Sequence, residues 1–337
     1  MTIIIALLLF GILILIHELG HFLFAKKAGV KVHEFAIGMG PKIYGTKKEE
    51  TEYSIRLFPI GGYVSMEGED ESSKDPGSFG NKSVLQRASV LLAGPLFNIV
   101  LAFILFIPVM MYIGSPTTKL DSIVPNSPAY EAGIKAGDEI VSINKTEVEN
   151  WDEVSVLLNQ SNGKSIEVIV DRDGKSEKIQ VTPQKSEEGT YIIGIYPSME
   201  KGVLSSISRA FETTIALIIQ MIQFLGQLIT GTVPGGVAET VTGPIGIMSM
   251  VSDAAQTGII NIINLMAVIS LNLGIMNLLP IPALDGGRLL FLFIEVIRGG
   301  KKIDQNKEAM LNTVFLGALL LFTVFIAYKD VLRLIAK

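Results

Sequence analysis

The chain has no cysteine, one tryptophan and three histidines in 337 residues. Without cysteine there is no disulfide, and a bound metal must take its ligands from imidazole or carboxylate rather than thiolate. Charge is also scarce. Charged residues make up 18% against 49% hydrophobic, with a mean hydropathy of +0.46. That balance is too apolar for an ordinary soluble protein and suits an integral membrane protein carrying a soluble part. A net charge of -5 and the lack of a basic stripe argue against a nucleic-acid partner.

What is present is a set of long apolar runs. Thr2 to Phe24 is apolar apart from a polar cluster near its end. It lacks the basic start and small-residue cleavage pattern of a signal peptide, so it reads as a retained transmembrane helix. Further spans are expected over Val84–Ile113, Ile259–Leu279 and Ala309–Tyr328. Ile207–Gly231 is also long enough to cross, but Gln220, Gln223 and Gln227 recur at three- and four-residue steps, with Glu212 about two turns before them, which favours an amphipathic helix lying in the interface.

Between the second and third spans the pattern changes to short strands and polar turns. "DRDGK" joins two alternating runs as a hairpin, and Asn150 is placed to cap a helix over "WDEVSVLLNQ". Four regions follow. Residues 1–114 hold the first two spans and a long loop, 115–200 an inserted α+β domain, 201–258 the interfacial helix and connector, and 259–337 the last two spans. The expected fold class is therefore a four-span α-helical membrane protein with an α+β insert, and the alternation of Glu52–Glu69 with its turn at "PIGG" adds a β-hairpin.

Basic residues orient it. Lys26, Lys27, Lys31, Lys42, Lys47, Lys48, Arg56, Lys74, Lys82 and Arg87 crowd the first loop, and Arg288, Arg298, Lys301, Lys302 and Lys307 the last. Positive-inside counting puts both loops in the cytoplasm, with the N-terminus and the insert outside. Lys329, Arg333 and Lys337 vote the other way but are fewer.

The polar cluster in the first span is "HELGH". His17 and His21 lie four apart, one turn along a single helix face. Two imidazoles so spaced can share a zinc ion, and Glu18 beside them can act as general base toward the attacking water. Histidines satisfied in a core are the alternative, but at membrane depth ionisable groups mark functional sites. A hydrolytic zinc site takes a third protein ligand. The position six beyond His21 is Lys27, so the ligand must come from elsewhere. His33 and Glu34 lie in a polar loop, and Glu295 lies two turns into an apolar stretch. Asp285 in "NLLPIPALDGG" is the best placed: Pro280 and Pro282 break the helix, and Gly286 and Gly287 allow close approach. Asp285 reaches the depth of the histidines only if one crossing separates it from the insert, which again makes Ile207–Gly231 interfacial.

"HELGH", "AGPLFN" in the second span, "SPAYEAGIKAGDEIVSINKTEV" in the insert and "NLLPIPALDGG" together resemble the site-2 protease family of intramembrane zinc metalloproteases, in its bacterial PDZ-containing branch. The resemblance extends over nearly the whole chain. It implies zinc held by His17, His21 and Asp285, Glu18 as base, and Asn277, Pro280 and Pro282 shaping the site against substrate backbone. It makes Glu52–Glu69, turning at "PIGG" through Gly61 and Gly62, a re-entrant hairpin that could pair with an extended substrate. Asn98 is a further polar candidate, for substrate contact or for an interhelical bond. The PDZ-like insert is expected to act as a size filter or docking site. "TGPIGIMSM", Thr242 to Met250, also resembles the family.

The reading is a zinc endopeptidase of the bacterial cytoplasmic membrane. Its expected partners are the lipid bilayer and single-span membrane proteins, an anti-sigma factor or a signal-peptide remnant among them. Its site is expected toward the cytoplasmic side. Two rivals stand beside it, an intramembrane metal-ion transporter and a non-enzymatic PDZ membrane adaptor.

Overall fold

The computed structural model describes residues 2–69, 73–187, 189–233 and 241–335. Lys337 and residues 234–240 of the expected connector lie outside them. The chain divides into two units, residues 110–209 and a larger unit from residues 1–109 and 210–337.

The larger unit is built on long helices. α1 (Thr2–Lys27) buries Ala6, Leu9, Leu13, His17, Gly20 and His21, a stripe at the helical period. α2 (Val84–Ile113) buries Val90, Ala93, Gly94, Asn98 and Ala102, and its bounds are those read from the sequence. The two helices cross at small residues: a Cβ on Gly20 would sit 2.5 Å from the Ala93 carbonyl oxygen.

Between these helices run β1 (Val32–Lys48) and β2 (Thr51–Met66). The tight turn joining them is at Glu49, with φ 57°, not at "PIGG". Lys48 pairs Thr51 and Tyr44 pairs Ile55, while Val32 pairs Met66 and Ile37 pairs Gly62. Phe35 faces both Val64 and Tyr53. The two arms of the expected Glu52–Glu69 hairpin thus flank the first arm of β1 instead of pairing with each other. Glu34 ties the arms together, accepting from Ser54 Oγ at 2.5 Å, Arg56 Nη2 at 2.7 Å and Tyr63 OH at 2.6 Å.

Beyond residue 202 come α5 (Val203–Thr230), α6 (Pro244–Thr257), α7 (Ile259–Asn277), α8 (Asp285–Ile297) and α9 (Gln305–Ile335). Among the described residues five helices, α1, α2, α5, α7 and α9, are long and apolar enough to cross a membrane. α5 is among them, so length and composition alone do not separate four spans from five. α6 packs against α1, α7 and α9. The "TGPIGIMSM" motif is its N-terminus: Asp330 of α9, buried at 3% exposure, accepts from the Gly246 N–H at 2.8 Å. A Cβ on Gly243 would lie 2.7 Å from Asp330 Oδ2. The motif therefore receives a carboxylate from another helix at the positive end of its own.

In the second unit β3 (Ser115–Ile123), β4 (Glu139–Ile143), β6 (Ile166–Arg172), β7 (Lys175–Val181) and β10 (Ile195–Glu200) form a sheet in the order β10-β3-β4-β6-β7, with β5 (Thr146–Glu147) on β4. β8 (Gln184–Lys185) and β9 (Tyr191–Ile192) pair separately. The β6–β7 turn is Asp173–Gly174, both at positive φ, as the "DG" signal requires. α3 (Pro128–Ala132) is capped by Ser127, and α4 (Trp151–Gln160) by Asn150, which accepts from the Glu153 N–H at 3.0 Å. Leu120, Ile140, Ile143, Val168 and Ile193 lie in the core.

Candidate metal centre

The site assembles from both ends of the larger unit. His17 and His21 sit in the last turns of α1, and Asp285 opens α8 after the broken segment 278–284. Asp285 Oδ2 lies 3.1 Å from His17 Nε2 and 3.4 Å from His21 Nε2, and the two Nε2 atoms are 3.2 Å apart. Both histidines are buried. Among the described residues this is the one such cluster of potential metal ligands.

Two observations test whether a metal fits. Tetrahedral zinc with bonds of about 2.0–2.1 Å holds neighbouring ligand atoms about 3.3 Å apart, which the observed triangle matches. Asp285 Oδ2 is also buried with no hydrogen-bond partner, although it is close to both rings. A buried carboxylate oxygen left so is costly unless a cation completes it.

Glycine makes room for the cluster. A Cβ on Gly94 would lie 2.3 Å from His21 Nε2 and 2.9 Å from His17 Nε2. Gly286 and Gly287 similarly press on the carbonyl oxygens of Leu279 and Ile281, at 2.1 and 2.3 Å from a built Cβ. The outer ring nitrogen of His21 lies 2.9 Å from the Val90 carbonyl oxygen. That of His17 faces Asn98.

Glu18 is half-buried beside the turn between the two arms of β2. A Cβ on Gly62 would sit 3.7 Å from Glu18 Cγ, and one on Gly11 would sit 3.2 Å from the Pro59 carbonyl oxygen. The "PIGG" turn therefore packs along α1 up to the proposed base. Gly61, at φ 84°, packs on Met39.

The competing ligands are occupied elsewhere. His33 Nε2 meets Glu67 Oε2 at 2.6 Å, and Glu34 is held by Arg56, Ser54 and Tyr63. Glu295 forms a buried double contact with Arg87, at 2.6 and 3.0 Å. Of the expected substrate contacts, Asn277 ends α7 half-buried, Pro280 is exposed and Pro282 is buried. Asn98 is fully buried, so it presents no surface to a substrate. Its place beneath His17 suits the interhelical alternative instead.

Three residues escaped the sequence reading. Gly94 was visible inside "AGPLFN" but not its proximity to the rings. Val90 acts through its carbonyl, which no side-chain pattern records. Asn312 on α9 accepts from the Ala283 N–H at 3.0 Å and sits in an ordinary apolar run.

Comparisons with known proteins give the family. The profile of Peptidase family M50 matches residues 5–322. A protein of Clostridium acetobutylicum is 43% identical over 333 residues, covering 98% of this chain and 97% of its own. The regulator of sigma-W protease RasP of Bacillus subtilis is 34% identical, covering 99% of each chain. Zinc metalloprotease RasP of Geobacillus kaustophilus is 33% identical, covering 96% of each. A solved PDZ domain from Listeria monocytogenes, 22% identical with a TM-score of 0.21, covers 25% of this chain and 86% of its own. The chain thus belongs to Peptidase family M50, the site-2 protease family, and is an intramembrane zinc metalloprotease.

Proposed function

We propose that His17, His21 and Asp285 hold the zinc ion, that Glu18 is the general base, and that the substrates are transmembrane segments of single-span proteins or signal-peptide remnants. The observation that carries this is the 3.1–3.4 Å triangle of ligand atoms drawn from opposite ends of the chain. Zinc, when bound, supplies a Lewis acid that polarises the scissile carbonyl and makes water easier to deprotonate. Glu18 takes the proton from the attacking water and delivers it to the leaving amine.

The peptide must be extended to react, because helical peptide bonds are internally hydrogen-bonded and shielded. The arm Gly62–Met66 starts beside Glu18, and strand pairing there would hold a substrate extended at the base. Asn277, Pro280 and Pro282 precede Asp285 on the same broken segment and would shape the site against the substrate backbone.

For topology we favour four spans, with α5 interfacial, the N-terminus and the insert extracytoplasmic, and the site near the cytoplasmic face. The lysines and arginines of the first and last loops and the glutamines of α5 support it. The Bacillus subtilis relative is named a regulator of sigma-W protease, and an anti-sigma factor is among the substrates proposed for this chain. The insert would filter or dock substrates outside the membrane.

The test is purified protein with a fluorogenic transmembrane substrate. Cleavage should require zinc and disappear in Glu18→Gln. Undiminished cleavage by that variant rejects the assigned base. A transporter would instead move zinc across vesicles without cleaving the substrate.

A further inference from the structure

The outer nitrogens of the two imidazoles meet different groups. His21 Nδ1 lies 2.9 Å from the Val90 carbonyl oxygen. A carbonyl only accepts, so this nitrogen carries the proton, and Nε2 keeps its lone pair for the metal position. His17 Nδ1 faces the side-chain amide of Asn98, whose Nδ2 is placed 3.3 Å away.

The two ends of an asparagine amide are assigned from their surroundings, and here they have opposite consequences. If Nδ2 donated to His17 Nδ1, the proton would reside on Nε2. It would then point among His21 Nε2 at 3.2 Å and Asp285 Oδ2 at 3.1 Å, where zinc needs a lone pair. A half-turn of the amide brings Oδ1 to His17 instead, and it is the setting that leaves Nε2 free to bind.

Packing holds Asn98 in place for this. It is 0% exposed, and its backbone carbonyl accepts from Ser270 Oγ of α7 at 2.8 Å. Gly274 of α7 closes over it, with a built Cβ 3.4 Å from Asn98 Cβ. We propose that Asn98 is a positioning residue: its Oδ1 accepts the Nδ1 proton of His17 and so fixes the ring's tautomer and aim. Val90 does the same for His21 with a backbone carbonyl, and metal-binding histidines are commonly held by such outer partners. The proposal rests on the zinc reading above.

The test measures zinc affinity of the full-length protein in detergent by chelator competition, alongside nitrogen NMR of its labelled histidines. Asn98→Leu should weaken zinc binding on the order of 10–100-fold and abolish the His17 signal of a protonated Nδ1. Asn98→Asp keeps an acceptor and should stay within a few fold, with that signal intact. Ser270→Ala loosens the backbone support of Asn98 but keeps its Oδ1 acceptor, and should weaken zinc binding less than Asn98→Leu does. Unchanged affinity in Asn98→Leu, or equal weakening in all three variants, overturns the proposal. If Asn98→Leu fails to fold, loss of affinity or of the protonated Nδ1 signal in Asn98→Asp overturns it. A parent protein that binds no zinc overturns the metalloprotease reading itself, a result distinct from either.

Discussion

Asn312 accepts a hydrogen bond at 3.0 Å from the backbone N–H of Ala283, a residue held at φ 77° two positions before Asp285. A residue with a Cβ in that conformation stores about 1–2 kcal/mol. The strain persists because α9 clamps the loop that delivers Asp285, the proposed third ligand. Asn312→Leu should therefore let the loop relax and lower both zinc affinity and cleavage rate. Ala283→Gly added to it should restore most of the loss, since glycine adopts positive φ without strain. Chelator competition and initial rates on the single and double variants check this. A double variant no better than Asn312→Leu would show that the clamp does not act through the loop backbone.

The space above the imidazoles gives a second prediction. Gly94→Ala places a methyl 2.3 Å from His21 Nε2, a separation no relaxed structure tolerates. Overpacking of this kind costs about 1–3 kcal/mol, and here the ring must move away from the ligand triangle. Zinc affinity should fall about tenfold or more, while the helical signal in circular dichroism stays near that of the parent.

How far the sequence reaches can be judged from particular residues. Asn150 as a cap and Asp173–Gly174 as a turn were legible because their signals are local. The limits of α2 were legible because the apolar run has clear polar and glycine borders. The pairing of β1 with both arms of β2 was not, because Phe35 meets Val64 and Tyr53 together and no periodicity encodes a strand shared that way. The spacing of His17 and His21 and the proline–glycine context of Asp285 singled out three residues whose side chains the fold brings together. Gly94 and Asn312 were not legible, since they act by proximity to residues far away in the chain.

Arg87 and Glu295 pair with both side chains about 92% buried, joining α2 to α8 at 2.6 Å. Removing one partner of a buried pair strands the other, at a cost of about 3–5 kcal/mol. Arg87→Met alone and Glu295→Leu alone should each lower the thermal midpoint markedly. The double variant should recover much of the loss, because two apolar side chains leave no charge behind. Thermal melts in detergent measure this, and additive losses would argue against a mutually satisfied pair.

The residue 110–209 unit has its own dependence on pH. Burial alone would push the Asp138 carboxyl up. The Arg172 guanidinium, at 2.7 Å, and the Lys135 N–H, at 2.8 Å, outweigh it and hold the group below the usual carboxylate range. A folded-state pKa below the unfolded value means the stabilisation is present above about pH 4 and is lost as pH falls through the folded value. Arg172→Gln removes the main counter-charge, leaves Asp138 buried, and raises its pKa. The acid transition of this unit, followed by hydrogen exchange of its core amides in the full-length protein, should then move to higher pH. An unchanged transition would mean that another group governs the acid sensitivity of this unit.

Asp330 supplies the last prediction. Its carboxylate meets the Gly246 N–H at 2.8 Å at the start of α6 and lies 3.9 Å from Arg333. α6 has no side-chain cap from Gly243, so this distant carboxylate takes the place of a local one. Loss of a cap costs about 0.5–2 kcal/mol, and Asp330→Leu should lose at least that, because it also buries free N–H groups. Asp330→Asn keeps an acceptor oxygen and should lose less. Hydrogen exchange resolves the effect: amides in the first turn of α6 should exchange faster in Asp330→Leu, with those of α2 unaffected. Uniform loss of protection across the larger unit would assign Asp330 to the packing of the whole bundle rather than to this helix end.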